Sequence, residues 1–149
     1  MLVRIGKKML PEERSFLLKK SKRYMSKHLT KSKINLKSKL ELIKDYWSPK
    51  VVAELNDYQF KLAKIKDEFI WHQHNATDEA FMVIEGNIEI ELEDSTVELS
   101  EGEMFIVPKG VKHKPIARGE AHIMLIEPRD VKNTGDFENE LTARNDIWI

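Results

Sequence analysis

Three histidines and one glutamate stand at spacings that suit a single metal ion. His72 and His74 are separated by one residue, and Glu79 follows five residues after His74. His113 comes some thirty residues later. Imidazole nitrogens and carboxylate oxygens bind divalent transition metals, and a set of three nitrogens and one oxygen leaves coordination positions open for water or a substrate. The pattern therefore predicts a working metal site at these four residues.

The elements that position the first three ligands are predicted to be two β-strands. Successive side chains of a strand point to opposite faces, so His72 and His74 project the same way, about 6 to 7 Å apart. The polar segment 75–78 is typical of a turn, and Glu79 opens the apolar run that follows it. A neighbouring strand thus brings the carboxylate beside the two imidazoles.

A third strand is predicted to deliver the last histidine. The apolar run 104–107 is followed by Pro108 and Gly110, which favour a turn, and His113 begins the next segment. Three strands that converge on one point can form a metal site in a barrel.

Asp78 competes with Glu79 for the carboxylate position. Strand parity favours Glu79, because Phe81 and Val83 then share its inward face while Asp78 stays in the turn. The predicted pocket around the ion is mostly apolar and is lined by Phe60, Phe81, Val83 and Met104.

Two segments resemble the two motifs of the cupin family. Residues 66–86 resemble the first motif and read His72-x-His74-x4-Glu79-x6-Gly86. Residues 102–117 resemble the second and read Gly102-x5-Pro108-x-Gly110-x2-His113-x3-Ala117. The chain departs from the family pattern at two places. The glycine that opens the first motif is missing, and Ala117 replaces the asparagine that ends the second.

The resemblance implies a ligand set and a cofactor. In the family, the three histidines and the glutamate bind the metal, which implies that the ligands here are His72, His74, Glu79 and His113. The implied cofactor is one divalent transition metal, with Fe, Mn, Ni, Cu and Zn all compatible. From about Leu36 onward the chain resembles small single-domain cupins that are often labelled mannose-6-phosphate isomerase-like, a label that carries no substrate.

The predicted fold is all-β, a double-stranded β-helix or jelly-roll cupin barrel, with a basic helical extension at its N-terminus. We expect residues 34–149 to form a single cupin domain. Residues 88–92 alternate isoleucine or leucine with glutamate, which indicates a strand with one buried face. Residues 85–87 before it predict a tight hairpin at Gly86.

Residues 1–33 are predicted to form the basic extension. Residues 1–39 hold 13 Lys and Arg against two Asp and Glu, whereas residues 40–149 hold 12 against 23. Pro11 and two glutamates are typical of a first helical turn, and an apolar stripe follows them. Such a segment could bind nucleic acid, an anionic membrane or the acidic barrel of its own or a partner chain. We favour the barrel, or a mere extension without a partner, over nucleic acid.

Composition narrows the location and the partners. Cysteine is absent, which excludes disulfides and thiolate ligands and favours a cytoplasmic location. No apolar run is long enough for a membrane span. Exposed edge strands of a jelly roll are commonly covered by a second copy, so a homodimer is predicted.

The predicted function is a metal-dependent enzyme that acts on a small hydroxylated or oxo-acid molecule, by oxygenase-type or isomerase-type chemistry. The alternative is a non-catalytic module that uses the same metal to bind a sugar or carboxylate. A positioned acid or base near the metal would favour the enzyme. The sequence pattern assigns no residue to that role.

Overall fold

Seven antiparallel strands and one short helix are present between Leu36 and Pro128. The structure is a computed structural model that describes residues 10–12, 14–15 and 33–149. The basic extension predicted at residues 1–33 lies almost entirely outside the described residues. Residues 34–149 form one compact unit. Its elements are α1 (Leu36–Leu40), β1 (Lys50–Leu55), β2 (Tyr58–Glu68), β3 (Glu79–Glu85), β4 (Asn87–Leu92), β5 (Thr96–Ser100), β6 (Met104–Val107) and β7 (His113–Pro128).

Strand β7 joins the two sides of the barrel. The hydrogen-bonded order is β1-β2-β7-β3-β6, and β4 pairs with both β5 and β7. The first part of β7 pairs with β4, and its last part pairs with β3. Strand β2 pairs with β7 along nearly the whole length of β2. Ile116 of β7 therefore has a partner on each side, with Glu68 of β2 on one side and Glu89 of β4 on the other. This antiparallel arrangement confirms the predicted jelly roll.

The barrel interior is filled by alternate side chains of the strands. On β4, Ile88 and Ile90 are buried, while the glutamates between and beside them are partly exposed, as the alternation predicts. The buried apolar residues of the interior are Ala63, Ile65, Phe81, Val83, Ile88, Ile90, Leu99, Val107, Ala117, Ala121, Ile123 and Leu125. Burial of these side chains supplies the main driving force for folding.

A second apolar cluster lies on the outer face of the sheet. Helix α1 contributes Leu40, which packs with Leu62 of β2 and Met124 of β7. The side chain of Asn35 caps this helix by accepting a hydrogen bond from the backbone N–H of Ser38 at 3.0 Å. Such a cap satisfies one of the otherwise unpaired N–H groups of the first turn.

The predicted hairpin at Gly86 is wrong. Strand β3 pairs with β6 and β7, whereas β4 pairs with β5 and β7. Gly86 therefore marks a crossing between the two sides of the barrel, not a hairpin turn. Its φ is +85°, and a Cβ at this position would lie 2.9 Å from the carbonyl oxygen of Glu120. Local sequence favours a turn here, but the partner of each strand is chosen by long-range packing.

Within the part of the chain that the structure describes, no helix has the length and apolar character needed to span a bilayer.

Candidate metal centre

His72 and His113 are brought together by their backbones. They form an isolated antiparallel bridge, in which each residue's N–H donates to the other's carbonyl, at 3.0 Å and 2.9 Å. Their ring centroids lie 4.2 Å apart. Residue 72 lies outside the named strands. The two rings are therefore positioned by a single pair of residues and not by a long ladder.

His74 and Glu79 complete the group from the segment that follows. The carbonyl oxygen of His74 accepts a hydrogen bond from the N–H of Gly110 at 2.8 Å, which fixes the loop that carries the histidine. Glu79 is the first residue of β3 and faces the interior with Phe81. Asp78 is exposed, and its Oδ1 accepts a hydrogen bond from the N–H of Lys109. The competing carboxylate thus caps a surface loop.

The four predicted ligands share one buried position. One ligand atom from each lies within 4.8 Å of the corresponding atom of every other, and all four residues are buried. Ligand atoms at about 2.0 to 2.2 Å from one ion must lie about 3 to 4 Å from each other, so this spacing suits a metal after small adjustments. The group of His72, His74, Glu79 and His113 can therefore hold a metal ion.

Two hydrogen bonds orient the rings of His72 and His113 through their Nδ1 atoms. Nδ1 of His72 lies 3.0 Å from the carbonyl oxygen of Ile70, and Nδ1 of His113 lies 3.0 Å from that of Val111. A neutral imidazole has one N–H, and donating it to the carbonyl leaves the Nε2 lone pair available. Metal-binding histidines are commonly oriented in this way by the other ring nitrogen.

Two lone-pair contacts in the centre are consistent with a cation. Nε2 of His113 lies 3.1 Å from Oε2 of Glu79, and Nε2 of His74 lies 3.2 Å from the same oxygen. The His74 nitrogen is buried and has no partner in hydrogen-bond geometry. Lone pairs that face each other at this distance repel unless a proton or a metal cation lies between them. The donor set and its geometry therefore fit a divalent metal.

Burial and mutual contact shift the pKa values of these groups in different directions. Burial, reinforced by His113, lowers the pKa of His72 to about 4. Burial also opposes the charged form of His74, but the contact with Glu79 outweighs it and raises the pKa of His74. Burial alone would raise the pKa of Glu79, yet the neighbouring His113 and His74 hold it far below its usual range. Glu79 is therefore ionised and available as a ligand at neutral pH.

A small cavity adjoins the metal ligands. It has a volume of about 20 Å³, and about 10 to 15 Å³ is enough for one water molecule. Its lining includes His72 and Glu79 but is otherwise almost entirely apolar. The other lining residues are Trp47, Pro49, Ala63, Ile65, Phe69, Phe81, Pro115, Ile123, Leu125 and Asn133.

Two of the predicted pocket residues face away from the ion. Phe81 and Val83 are buried in the interior as expected. Phe60 instead packs in the outer cluster, and Met104 is 52% exposed. The prediction was wrong for both because β2 and β6 have the opposite phase, which places Ala63 inside the barrel.

The same phase places three polar side chains inside the barrel, and sequence reasoning missed them. Gln59, Lys61 and Glu127 are at most 2% exposed. Lys61 Nζ lies 2.8 Å from Glu127 Oε1. Burial, followed by the charge of Glu79, raises the pKa of Glu127 to about 7, although Lys61 opposes the shift. Alternation along β7, with Glu127 two residues after Leu125, was the signal that could have revealed this buried carboxylate.

The C-terminal segment packs against the loop between the two metal-binding histidines. The N–H of Asp136 donates to the carbonyl oxygen of Gln73 at 3.2 Å, and Asp136 Oδ2 accepts from the N–H of Asn75 at 3.0 Å. Gly135 has φ +68°, and a Cβ there would clash with the Gln73 carbonyl. The segment thus covers the loop at close range.

The basic residues near the second motif are partly neutralised by glutamates. Lys114 Nζ lies 3.1 Å from Glu68 and 2.9 Å from Glu91. Arg118 forms a two-point contact with Glu89. These contacts therefore balance the charges of Lys114 and Arg118.

The chain is similar to one family model and to several proteins of known structure. The family model described as Cupin domain matches residues 60–128. A cupin-2 domain containing protein from Shewanella frigidimarina NCIMB 400 is 50% identical, with 70% of this chain and 99% of that chain covered and a TM-score of 0.64. Protein NMB1881 from Neisseria meningitidis is 35% identical, with 65% and 99% covered and a TM-score of 0.61.

Two further relatives are more limited. YdbB from Bacillus subtilis (strain 168) is 36% identical over 64 residues, so the chain spans only 57% of that curated relative. Hydroquinone 1,2-dioxygenase from Sphingomonas sp. TTNP3 is 18% identical with a TM-score of 0.60, over 65% of this chain and 32% of that chain, which shows a common fold alone. The jelly roll and the near-complete coverage of the Shewanella protein at 50% identity show that this chain belongs to the cupin superfamily.

Proposed function

We propose that this cupin is a metal-dependent enzyme that acts on a small hydroxylated or oxo-acid molecule. Its metal would be one divalent ion held by His72, His74, Glu79 and His113. The observation that carries the proposal is the convergence of these four buried side chains, whose ligand atoms lie within 4.8 Å of each other. Fe, Mn, Ni, Cu and Zn all suit a set of three imidazoles and one carboxylate.

The metal would supply Lewis acidity, and redox chemistry if it is iron, manganese or copper. The protein's own contribution is positional. The carbonyls of Ile70 and Val111 orient His72 and His113, and the apolar lining keeps bulk water away from the centre. Exclusion of water strengthens electrostatic interactions with a bound substrate.

A buried ionisable pair beside the ligands supports the enzyme over the binding module. Lys61 and Glu127 lie on the inner face of the barrel, and the charge of Glu79 acts on Glu127. An enzyme needs such positioned polar groups near its metal. The binding module is supported by the apolar cavity, which contains no ionisable side chain other than His72 and Glu79.

The outer face of the sheet supports a homodimer. Met104 and Ile106 on β6 are 52% and 51% exposed, and Met82 on the adjacent β3 is only partly buried. A neighbouring set of apolar side chains on one sheet face is a typical contact surface for a second copy. A cytoplasmic location is a further proposal, which rests on the cysteine-free composition.

Elemental analysis of tag-free protein, purified without chelators, tests the metal proposal. Stoichiometric metal is expected, and its identity directs the assays, with iron leading to oxygen-dependent screens and zinc, manganese or nickel leading to isomerase screens. Incubation of the loaded protein with a panel of hydroxy and oxo acids, followed by mass spectrometry, then separates the two functions. New products support the enzyme, whereas saturable binding without products supports the module. A protein that takes up no metal after reconstitution contradicts both.

A further inference from the structure

A row of polar side chains crosses the inner face of the barrel beside the metal ligands. Gln59 on β2 lies directly opposite Glu127 on β7. On the other side of β7, Ala80 lies opposite Ile126. Extension of this antiparallel ladder by one residue would place Glu79 opposite Glu127, in line with the charge of Glu79 acting on Glu127. Both glutamates are buried, so their side chains point into the barrel from neighbouring strands, about 5 Å apart at Cβ.

The hydrogen-bond donors of this row are fully used. Lys61 Nζ donates to Oε1 of Glu127 at 2.8 Å, to the carbonyl oxygen of Val131 at 3.0 Å and to Oδ1 of Asn145 at 3.3 Å. An ammonium group has three protons, and each has an acceptor. Nε2 of Gln59 donates to carboxylate oxygens of Glu54 and Asp146, at 2.8 Å and 2.9 Å, which uses both amide protons.

Two acceptors remain without partners. Oε2 of Glu127 and Oε1 of Gln59 are buried side-chain oxygens that receive no hydrogen bond. Native proteins rarely leave such atoms unsatisfied, and those that remain call for a water, an ion or a ligand. Two neighbouring acceptors repel an anion and accept hydrogen bonds from a hydroxyl group or a water. Lys61 already balances the charge of Glu127, which disfavours a cation.

We propose that Glu127 and Gln59 form a specificity site for a hydroxyl group of the small ligand that the metal centre holds. The inference rests on the proposed function and narrows its ligand class to compounds that present a hydroxyl next to a metal-binding oxygen, such as 2-hydroxy acids. A carboxylate oxygen of the ligand would lie at the metal, while its hydroxyl proton would point to Oε2 of Glu127. A water molecule takes the hydroxyl's place when no ligand is bound.

Glycolate and acetate are suitable probes, because they share a carboxylate and differ by one hydroxyl group. Their dissociation constants can be measured on the Co(II)-loaded protein, whose visible absorption changes with the ligands of the ion. In Glu127→Gln the new side-chain oxygen accepts a hydrogen bond from Lys61. The new NH2 group then faces Gln59 and donates a hydrogen bond to Gln59 Oε1. The variant thereby removes both free acceptors with little change in shape. Glu98→Gln, at an exposed position on β5, is the matched control.

We expect glycolate to bind the native protein and Glu98→Gln at least about 10-fold more tightly than acetate, since loss of a buried hydrogen bond has effects of this order. Glu127→Gln should lose the preference for glycolate, measured as the ratio of the acetate and glycolate dissociation constants of the Co(II)-loaded variant. Equal binding of the two acids to the native protein, or an unchanged preference in Glu127→Gln, would overturn the inference.

Two controls keep this result separate from the metal proposal. Co(II) stoichiometry is measured before any ligand is added, and a native protein without Co(II) refutes the metal centre and the specificity site together. A crystal structure of the metal-free protein is an independent readout. It should show an ordered water within hydrogen-bond distance of Glu127 Oε2 and Gln59 Oε1. Protein groups that satisfy both oxygens would contradict the specificity site whatever the metal does.

Discussion

His72 and His113 hold each other through two backbone hydrogen bonds, and their rings lie 4.2 Å apart as a result. Because the backbone makes this contact, removal of one ligand side chain should leave the other ligands in place. Loss of a ligand is therefore expected to affect metal affinity more strongly than folding. The test of His74→Ala relies on this separation.

His74→Ala should lower metal affinity by more than about 100-fold, since even residues that only orient the ligands change affinity by about 10- to 100-fold. His122→Ala is the matched control, because His122 contacts Glu85 and Glu120 at the protein surface and not the metal ligands. Elemental analysis after dialysis measures the retained metal. Full occupancy in His74→Ala, or equal loss in the control, would contradict the ligand assignment.

Gly135→Ala should destabilise the contact between the C-terminal segment and the loop at Gln73. Gly135 has a positive φ, and an added Cβ would strike the Gln73 carbonyl. Gly102→Ala is the control, because Gly102 also has a positive φ but has nothing within 4 Å of the added Cβ. The control should cost about 1 kcal/mol for its backbone conformation, and Gly135→Ala about 2 kcal/mol more for the clash.

Thermal unfolding of the two glycine variants provides the measurement, at about 2 to 4 °C per kcal/mol for a chain of this size. Equal melting temperatures would mean that the segment moves away from Gln73 at little cost. The close approach would then contribute little to stability.

Lys61→Met should lower the free energy of unfolding by about 3 to 5 kcal/mol near neutral pH, because it leaves the buried carboxylate of Glu127 without its counter-ion. The double variant with Glu127→Leu should recover much of this loss, since it removes the unpaired charge. Urea unfolding of the native protein, the single variant and the double variant completes the cycle. A double variant less stable than Lys61→Met would contradict the argument.

The same pair predicts a pH dependence. The pKa of Glu127 is about 7 in the folded chain against an ordinary value of 4.5, so the folded state retains a proton that the unfolded state releases between these values. The contribution of this Glu127 proton to the free energy of unfolding is fully present below pH 4.5 and is lost as the pH rises through 7. Removal of Lys61 raises this pKa further, so Lys61→Met should be less destabilised at pH 5 than at pH 8. An equal loss of unfolding free energy in Lys61→Met at pH 5 and at pH 8 would argue against an ionised Glu127.

Ile106→Glu should convert a dimer to a monomer. Ile106 is 51% exposed on the outer face of β6, and a carboxylate cannot be buried there without a partner. Phe137→Glu, at a 65% exposed residue of the C-terminal segment, is the control and should leave the dimer intact. Light scattering after gel filtration gives the mass. A native protein that elutes as a monomer refutes the predicted homodimer.

Local patterns predicted parts of this molecule well. The alternation of Ile88 and Ile90 with glutamates indicated a strand with a buried face, and the structure has that strand. The residue types and spacing of the metal ligands also predicted their convergence, although the strand predicted for His72 and His74 is absent, because this segment lies outside the named strands and His72 makes only an isolated bridge to His113. Where the burial of a side chain depends on one strand alone, as in β4, the alternation of the sequence predicts which side chains are buried.

Phase and pairing were harder to predict. Phe60 shares an apolar phase of β2 with Leu62, and the sequence favoured Phe60 as a pocket residue. Both sides of β2 are partly apolar, however, because α1 covers the outer face at Leu62. Periodicity alone cannot rank two apolar faces, so the inward positions of Gln59 and Lys61 were missed.

The sequence by itself determined the family motifs, the ligand residues proposed for the metal and the strand content, since each depends on residue types at short spacing. Tertiary structure alone decided that Gly86 is a crossing, that Met104 faces outward, and that Glu127 stands beside Glu79 in the barrel. The physical reason is that strand partners are selected by burial of whole sheet faces, which joins residues far apart in the chain. The alternation of β7 indicates that Glu127 faces inward, but its position beside Glu79 depends on the pairing of β3 with β7.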